Sequence, residues 1–394
     1  MNPREIKPGT YAVGAVDWDR RLFDSLIPLP DGTSYNSYLI KGSDKTVLID
    51  SVDPTMASEL FGGFDQLKIE KIDYIIANHA EQDHSGNIPK VLERYPMAKV
   101  VCTPKCKELL IELLWVPEDR FAPVNDRDTI SLGDRTLEFI YAPWVHWPET
   151  MLTFLREERI LFSCDLFGSH IATSDLYVTD ECRVFEAAKR YYAEIMMPFR
   201  SNIERHLERL KEYQIDIIAP SHGPMYDKPE FILNAYRSWV LDKPKNTVVL
   251  PYISMHGSTR IVVDHLVHAL AANGVTVKQF DLSGADVGKL AMSLVDAGTI
   301  VIGVPTILAG PHPLAMYAAF LANGLRPKAK FATIIGSYGW GGRTVEVITA
   351  ALPNLKVELL PPVMCKGLPK EADLNALEAL AASIAQKHKD NGFT

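Results

Sequence analysis

The hydrophobic positions in the first half of the chain form short runs that end in polar or turn residues. YLIKGSDKTVLIDS has two such runs around a Gly-Ser-Asp turn, as is typical of a β-hairpin. IDYIIANH, AKVVCTP, RTLEFIYAP and RILFSCD are further short runs, whereas NIPKVLERYP and PKCKELLIELL have helical spacing. Strands that alternate with helices in this way predict a layered α/β domain.

The pattern becomes more regular after the polar segment RSWVLDKPKNTV. TVVLPYIS, TIVIGVPT and FATIIGS are predicted strands, and each precedes a loop and a helical stretch, namely TRIVVDHLVHALAANG, AMYAAFLANG and TVEVITAAL. This strict alternation predicts an open parallel sheet with helices on both faces. We therefore predict two domains, residues 1–245 and 246–394.

Composition narrows the classes of function. The net charge of −8 argues against nucleic acid or an anionic membrane surface as the main partner. No apolar run approaches the roughly 18 residues that span a bilayer, and MNPREIKPGT lacks the apolar core of a signal peptide. A cytoplasmic location is therefore expected. The five scattered cysteines have neither CxxC spacing nor the arrangement of a disulfide framework, so buried free thiols are expected.

Potential metal ligands follow the predicted strands of the first half, in HAEQDHSG, APWVHWPET, LFSCDLFGSH and DIIAPSHGP. The candidates are His79, Glu81, Asp83, His84, His146, Asp165 and His222. Because an α/β scaffold presents functional groups at strand ends, these side chains are expected to form one metal site. Four imidazoles and three carboxylates suit non-haem iron, although zinc tolerates the same ligands. His170 is a weaker candidate, since a lone histidine after a turn often only packs or forms hydrogen bonds.

Three loops of the second half have the features of a ligand site. SMHGST precedes a helix and offers hydroxyls and backbone N–H groups to a phosphate. PTILAGPHP and GSYGWGG follow the next two strands at the same expected sheet edge. The candidate residues are Ser254, Met255, His256, Gly257, Ser258, Thr259, Pro305, Thr306, Ile307, Leu308, Ala309, Gly310, Ser337, Tyr338, Gly339, Trp340, Gly341 and Gly342. Tyr338 or Trp340 could stack on an aromatic ligand.

These motifs together resemble those of the flavodiiron proteins, also called A-type flavoproteins. The HxExDH block resembles the HxHxDH metal motif of metallo-β-lactamase-fold hydrolases, with Glu81 in place of the second histidine. SMHGST resembles the phosphate loop of flavodoxins. The resemblance implies an N-terminal metallo-β-lactamase-like αββα sandwich followed by a flavodoxin-like doubly wound parallel sheet that binds FMN.

The resemblance also implies a carboxylate-bridged pair of non-haem irons. His79, Glu81 and His146 would bind one iron; Asp83, His84 and His222 would bind the other; Asp165 would bridge them. Members of this family reduce O₂ to water, NO to nitrous oxide, or both, and the sequence leaves this choice open. Tyr191 or Tyr192 could hydrogen-bond a reacting species.

The resemblance further implies a head-to-tail homodimer or homotetramer. No CxxC pair for a rubredoxin-like module and no dinucleotide fingerprint are present. Electrons are therefore expected from a separate donor, either rubredoxin or a reduced deazaflavin coenzyme.

Two other functions are compatible with parts of the sequence. One is a metal-dependent hydrolase of the metallo-β-lactamase fold with an accessory flavodoxin-like domain, and it predicts no flavin. The other is an electron carrier in which only the flavodoxin-like half is active. Glu81 and the three loops disfavour the first, and seven intact candidate ligands disfavour the second.

Overall fold

The structure is a computed structural model that describes residues 2–394. It contains two compact units. The first comprises the chain up to Tyr192 together with Phe199–Val240, and the second comprises Ala193–Pro198 and Leu241–Thr394. The domains 1–245 and 246–394 remain a prediction about which segments fold separately. No helix within residues 2–394 is long and apolar enough to cross a bilayer.

The strands of the first unit form two main sheets. In chain order they are β1 (Arg4–Lys7), β2 (Thr10–Ala12), β3 (Ala15–Asp17), β4 (Leu22–Phe23), β5 (Ile27–Pro28), β6 (Thr33–Tyr35), β7 (Tyr38–Lys41), β8 (Thr46–Ile49), β9 (Tyr74–Ile76), β10 (Lys99–Val101), β11 (Thr129–Ser131), β12 (Thr136–Tyr141), β13 (Met151–Leu155), β14 (Ile160–Cys164) and β15 (Ile217–Pro220). One sheet has the order β1-β2-β7-β8-β9-β10 and the other β11-β12-β13-β14-β15, while β3-β6 and β4-β5 form small ribbons.

Helices accompany these sheets along the chain. They are α1 (Ala57–Gln66), α2 (Gln82–Ser85), α3 (Ile88–Arg94), α4 (Pro104–Leu114), α5 (Glu181–Tyr191), α6 (Arg200–Leu210) and α7 (Pro229–Leu241). A π-helical turn, Tyr192–Met196, follows α5 directly. Helix α4 coincides with its predicted segment because Thr103 caps its N-terminus, accepting a hydrogen bond from the Cys106 backbone N–H, and Pro104 occupies its first turn.

The first sheet is buried on both faces, which explains its nearly uninterrupted apolar runs. Leu48 and Ile75 belong to the core shared with Phe64 of α1 and Leu110 of α4. The residues next to them in sequence face the opposite way, since successive side chains of a strand alternate between faces. These neighbours, Ile49 among them, pack against the second sheet. These contacts give helix, sheet and sheet, which are three consecutive layers of the predicted αββα sandwich.

The second unit is a single open sheet flanked by helices. Its strands are β16 (Thr247–Tyr252), β17 (Thr276–Asp281), β18 (Thr299–Ile307), β19 (Gly310–Pro311), β20 (Phe331–Tyr338), β21 (Glu358–Leu359) and β22 (Val363–Lys366). Its helices are α8 (Ser258–Ala272), α9 (Val287–Leu294), α10 (Pro313–Leu325), α11 (Thr344–Ala350) and α12 (Glu371–Asp390). The order β17-β16-β18-β20-β21 is parallel throughout, and β22 also pairs with β20. This is the flavodoxin-like order, which confirms the predicted fold class.

Candidate metal centre and flavin site

The candidate ligands of the first unit all lie just beyond strand ends. His79 follows β9, and the one-turn helix α2 carries Asp83 and His84. Asp165 follows β14 directly, and His222 follows the parallel neighbour β15. The carboxyl ends of parallel strands meet at one edge of a sheet, so segments far apart in sequence converge there.

Two turns that aim these ligands have unusual backbone conformations. Cys164, immediately before Asp165, has φ +50°, and His146 has φ +37°. Neither residue is glycine, so each such conformation costs on the order of 1–3 kcal/mol. Strain of this kind persists where the surrounding structure enforces it, and it is concentrated at functional sites.

The donor atoms form two groups, each within 4.8 Å of one another. The first contains His79, Glu81, His146 and Asp165, and the second contains Asp83, His84 and His222. In the first group, Oε2 of Glu81 lies 3.1 Å from Nε2 of both His79 and His146. In the second, Oδ2 of Asp83 lies 3.3 Å from Nε2 of His84 and 3.2 Å from Nε2 of His222.

Asp165 lies between the two groups, with one oxygen towards each. Its Oδ2 is 3.2 Å from Nε2 of His146 and 3.6 Å from that of His79. Its Oδ1 is 3.1 Å from Nε2 of His84 and 3.4 Å from that of His222. A carboxylate oriented in this way has the geometry of a bridge between two ions.

The seven residues fit a pair of metal ions. An ion bonded to nitrogen and oxygen at about 2.1 Å places neighbouring donors roughly 3.0–3.4 Å apart, close to the separations found here. Several of these donor atoms are close to one another but form no well-directed hydrogen bond within the described chain. They are Oδ1 and Oδ2 of Asp83, Nε2 of His84 and Oδ1 of Asp165. Their lone pairs therefore converge on shared space rather than on hydrogen-bond donors.

The electrostatics of the site favour a cation. Burial opposes protonation of His146, but Asp165 and Glu81 outweigh it and raise the pKa of the imidazole to about 9. For His222 burial likewise opposes protonation, while Asp165 and Asp83 raise the pKa to about 10. Without metal, protons on the imidazoles would thus supply the positive charge between the imidazoles and the carboxylates. With metal bound, the ions would supply that charge instead.

His170 lies beside this site but belongs to neither donor group. Its Nδ1 is 2.9 Å from Oγ1 of Thr33, and its ring packs 4.7 Å from that of His222 and 4.9 Å from that of Phe23. Burial lowers the pKa of His170 well below its ordinary value, so the ring is neutral. It therefore supports the ligands through packing.

The two candidate tyrosines have different surroundings. The Tyr191 ring lies 4.8 Å from His170 and 5.7 Å from His222, and burial together with the nearby Asp165 charge raises the pKa of its phenol. Gly168 makes room for this ring, because an added Cβ would lie 3.1 Å from Cζ of Tyr191. Tyr192 instead packs against the rings of Tyr236 and Trp239. Only Tyr191 therefore reaches the metal site.

A cavity of about 370 Å³ reaches both donor groups, through Glu81 of the first and Asp83 of the second. Phe23, Leu113 and Trp147 line one part, and Glu81 and Asp83 are among its polar lining residues. This volume is ample for a diatomic gas.

Asp24 also lines this cavity, and sequence reasoning missed it as a site residue. Burial, together with the charges of Glu81 and Asp83, raises the pKa of Asp24 to about 6. The available signal was its position in DWDRRLFDSLIPLP, which the family resemblance already included. Glu149 was missed as well, although it lies in the same quoted motif as His146.

The three predicted loops of the second unit line one cavity of about 340 Å³. The lining residues are Ser254, Met255, His256, Ser258, Thr259, Pro305, Thr306, Ile307, Leu308, Ser337, Tyr338, Gly339, Trp340 and Gly367. Gly257, with φ +95°, turns the first loop into α8. Gly341 and Gly342, with φ +119° and +154°, shape the last loop. Five predicted residues do not line the cavity, namely Gly257, Ala309, Gly310, Gly341 and Gly342, and Gly367, which does, was not predicted.

The loops fit a flavin phosphate and ring. The hydroxyls of Ser254, Ser258 and Thr259 gather at the N-terminus of α8, where backbone N–H groups and the helix dipole favour an anion. The side chains of Trp340 and Leu308 are 88% and 92% exposed, so apolar surface surrounds the mouth of the cavity. Tyr338 is more enclosed than Trp340.

Comparisons with known proteins agree with both halves of the site. The family model described as ODP family beta lactamase matches residues 33–223. The nitric oxide reductase of Moorella thermoacetica is 36% identical, over 98% of this chain and 99% of that protein. The coenzyme F420H(2) oxidase of Methanothermobacter marburgensis is 33% identical, over 86% of this chain and 87% of that protein.

Solved structures with the same architecture extend the likeness over nearly the whole chain. Rubredoxin oxygen:oxidoreductase from Desulfovibrio gigas superposes with a TM-score of 0.94 at 30% identity, covering 99% of each chain. The flavodiiron protein from Giardia intestinalis does so with a TM-score of 0.89 at 29% identity, covering 98% of this chain and 97% of that one. The chain therefore belongs to the flavodiiron proteins, the type A flavoproteins, and is an oxidoreductase.

Proposed function

We propose that this protein reduces O₂ to water, NO to nitrous oxide, or both, at a non-haem diiron centre that FMN in the second unit re-reduces. The observation that carries the proposal is the orientation of Asp165, whose two oxygens each face one donor group. A bridge of this kind is needed where two ions act on one substrate.

The ligand set supports iron rather than zinc. Glu81 adds a hard oxygen donor to His79 and His146, and carboxylate-rich N/O sites stabilise the higher oxidation states of iron. We propose that these three residues hold one iron, that Asp83, His84 and His222 hold the other, and that Asp165 bridges them. When bound, the irons supply a place for the gas to bind and electrons to reduce it.

The chain's own residues orient the gas and hold a proton nearby. Phe23, Leu113 and Trp147 form apolar parts of the cavity wall. The Tyr191 hydroxyl retains its proton, since burial and the nearby Asp165 charge raise the phenol pKa. We propose that this hydroxyl donates a hydrogen bond during turnover. The reaction consumes four electrons and four protons per O₂, or two of each per pair of NO molecules.

The loops of the second unit support FMN as the electron carrier. We propose that residues 254–259 hold the phosphate and that residues 305–310 and 337–342 surround the flavin ring. Tyr338 or Trp340 would stack on that ring, because both belong to the cavity lining.

The electron donor and the assembly are proposed from the family. The names of the two relatives rubredoxin oxygen:oxidoreductase and coenzyme F420H(2) oxidase support rubredoxin or a reduced deazaflavin as the donor. We further propose a head-to-tail homodimer or homotetramer in which the flavin of one subunit serves the irons of another. The cytoplasmic location stays a prediction.

The proposal is tested by anaerobic stopped-flow spectroscopy after iron and FMN have been counted. The fully reduced protein is mixed separately with O₂ and with NO, and flavin reoxidation is followed. We expect about two irons and one FMN per chain, with faster reoxidation by the physiological gas. Bound zinc, or a flavin indifferent to both gases, would overturn the proposal and favour the hydrolase.

A further inference from the structure

A buried carboxylate lies directly behind one candidate iron ligand. Oε1 of Glu149 is 2.7 Å from Nδ1 of His79, on the side of the ring opposite to the other donors. The same oxygen accepts the backbone N–H of Ala80 at 3.0 Å. Glu149 is only 2% exposed, so little solvent screens its charge.

The surrounding backbone holds this contact in place. The Glu149 carbonyl accepts a hydrogen bond from Oγ1 of Thr103, the residue that caps α4. The Trp147 ring stands perpendicular to the His79 ring at 5.0 Å and restricts its rotation. His79 is therefore fixed with its Nδ1 towards Glu149 and its Nε2 towards Glu81 and Asp165.

Two ligands of the second donor group have different support. Nδ1 of His222 contacts the backbone carbonyl oxygen of Ser34 at 2.7 Å, which is a neutral acceptor. Nδ1 of His84 has no hydrogen-bond partner within the described residues. The two donor groups are thus electronically unequal: a carboxylate is hydrogen-bonded to Nδ1 of His79 in the first, and neither buried imidazole of the second has a carboxylate on its Nδ1.

We propose that Glu149 is a positioning residue that strengthens the His79–iron bond and stabilises the ferric state of that iron relative to its neighbour. The inference rests on the proposed function. A carboxylate that accepts the Nδ1 proton fixes the tautomer with a free lone pair on Nε2 and makes that nitrogen a stronger donor. A stronger donor favours the higher charge on the metal. In the half-reduced centre, the ferric ion is therefore the one held by His79, Glu81 and His146.

The test uses Glu149→Gln in the full-length protein. Glutamine keeps the shape and can still accept a hydrogen bond, but it removes the charge. We expect affinity for one of the two ions to fall 10- to 100-fold, the range typical for loss of such a partner. Chelator competition with Co(II) or Zn(II) measures this without catalysis. Glu138→Gln is the matched control, because Glu138 on strand β12 is also a buried carboxylate. It is hydrogen-bonded to Arg156 and Tyr213.

A redox titration of the iron-loaded protein distinguishes an electronic role from a structural one. A tenfold loss of ferric stabilisation appears as a rise of about 59 mV in the one-electron midpoint potential, followed by the EPR signal of the mixed-valent centre. E149Q is expected to shift in this direction while E138Q does not. Wild-type affinities and potential in E149Q would overturn the proposal.

If E149Q does not fold, Glu149→Asp takes its place. A side chain shorter by one methylene breaks the contact with His79 while retaining the charge. The same loss of affinity is then expected, and its absence overturns the proposal. Failure of the proposed function would instead appear in the wild-type protein, as a slow reaction with both gases. The comparison of Co(II) and Zn(II) affinities between wild type and E149Q would still hold.

Discussion

The sharpest prediction concerns Asp165→Asn, because this change removes the proposed bridge and little else. Asparagine has the same shape but no charge, and only one of its two terminal atoms can act as a metal ligand. Each donor group therefore loses half of a shared anion, and one group also loses a donor atom. Glu138→Gln is the control: Glu138 is a buried carboxylate of the same unit, hydrogen-bonded to Arg156 and Tyr213 and absent from both donor groups.

The magnitude follows from the charges. Half a negative charge about 2.1 Å from a divalent ion interacts with it by roughly 8 kcal/mol at an effective dielectric constant of about 20. The asparagine dipole and solvent recover part of this energy. We therefore expect a net loss of at least about 3 kcal/mol for the more weakened ion, or about a hundredfold in affinity.

Iron counting after anaerobic reconstitution and desalting against a chelator gives the readout. Wild type and E138Q should retain about two irons per chain, and D165N should retain one or fewer. The half-reduced D165N protein should also lack the EPR signal of a coupled mixed-valent pair. Two tightly held, coupled irons in a folded D165N protein would refute the assignment of Asp165 as the bridge.

Four further predictions concern the flavin, the assembly, the second unit and the phenol. Ser258→Glu places a negative charge in the phosphate loop, so FMN content should fall while iron content stays unchanged, as absorbance and metal analysis will show. Co-expressing S258E with D165N should restore about a quarter of wild-type activity if electrons cross between subunits of a dimer, and none if each chain acts alone. Burial lowers the pKa of His388 to about 4. Below about pH 6.5 the unfolded state therefore binds more protons at this residue than the folded state does. The stability that neutral His388 contributes should be constant above that pH and fall by about 3 kcal/mol towards pH 4; calorimetry should show a smaller loss for His388→Gln than for wild type, whereas exposed His268→Gln should match wild type. Tyr191→Phe should slow turnover about tenfold with unchanged iron content, as expected for one hydrogen bond to a charged group; wild-type turnover would exclude a role for the hydroxyl.

Elements with strong local signals were predictable from the sequence. The hairpin of β7 and β8, helix α4 and strand β16 lie within their predicted segments, and strands β18 and β20 extend theirs by one residue each. Six elements of the second unit were not predicted, namely β17, β19, β21, β22, α9 and α12. Strand β17 lies at the sheet edge and is largely exposed, so its sequence TVKQFD lacks a buried apolar run. Helix α12 was missed although it is 20 residues long and buries one face.

The candidate sites likewise have parts that the local sequence predicts and parts that it does not. Local sequence pointed to the seven candidate ligands, because each is a histidine or carboxylate in the segment that follows an apolar strand. It also identified the three loops of the second unit, because glycines and hydroxyls follow successive strands there. Such patterns can be recognised from the sequence because a buried strand must be apolar, whereas a residue at its end need not be.

Only the tertiary structure decided how these residues are used. Asp165 faces both donor groups because positive φ at Cys164 turns the chain there, and Tyr191 reaches the site while Tyr192 packs into the core. Asp24 and Glu149 join through contacts with residues more than fifty positions away in the chain. Such contacts depend on which segments meet across sheets and turns, and no local periodicity encodes that meeting.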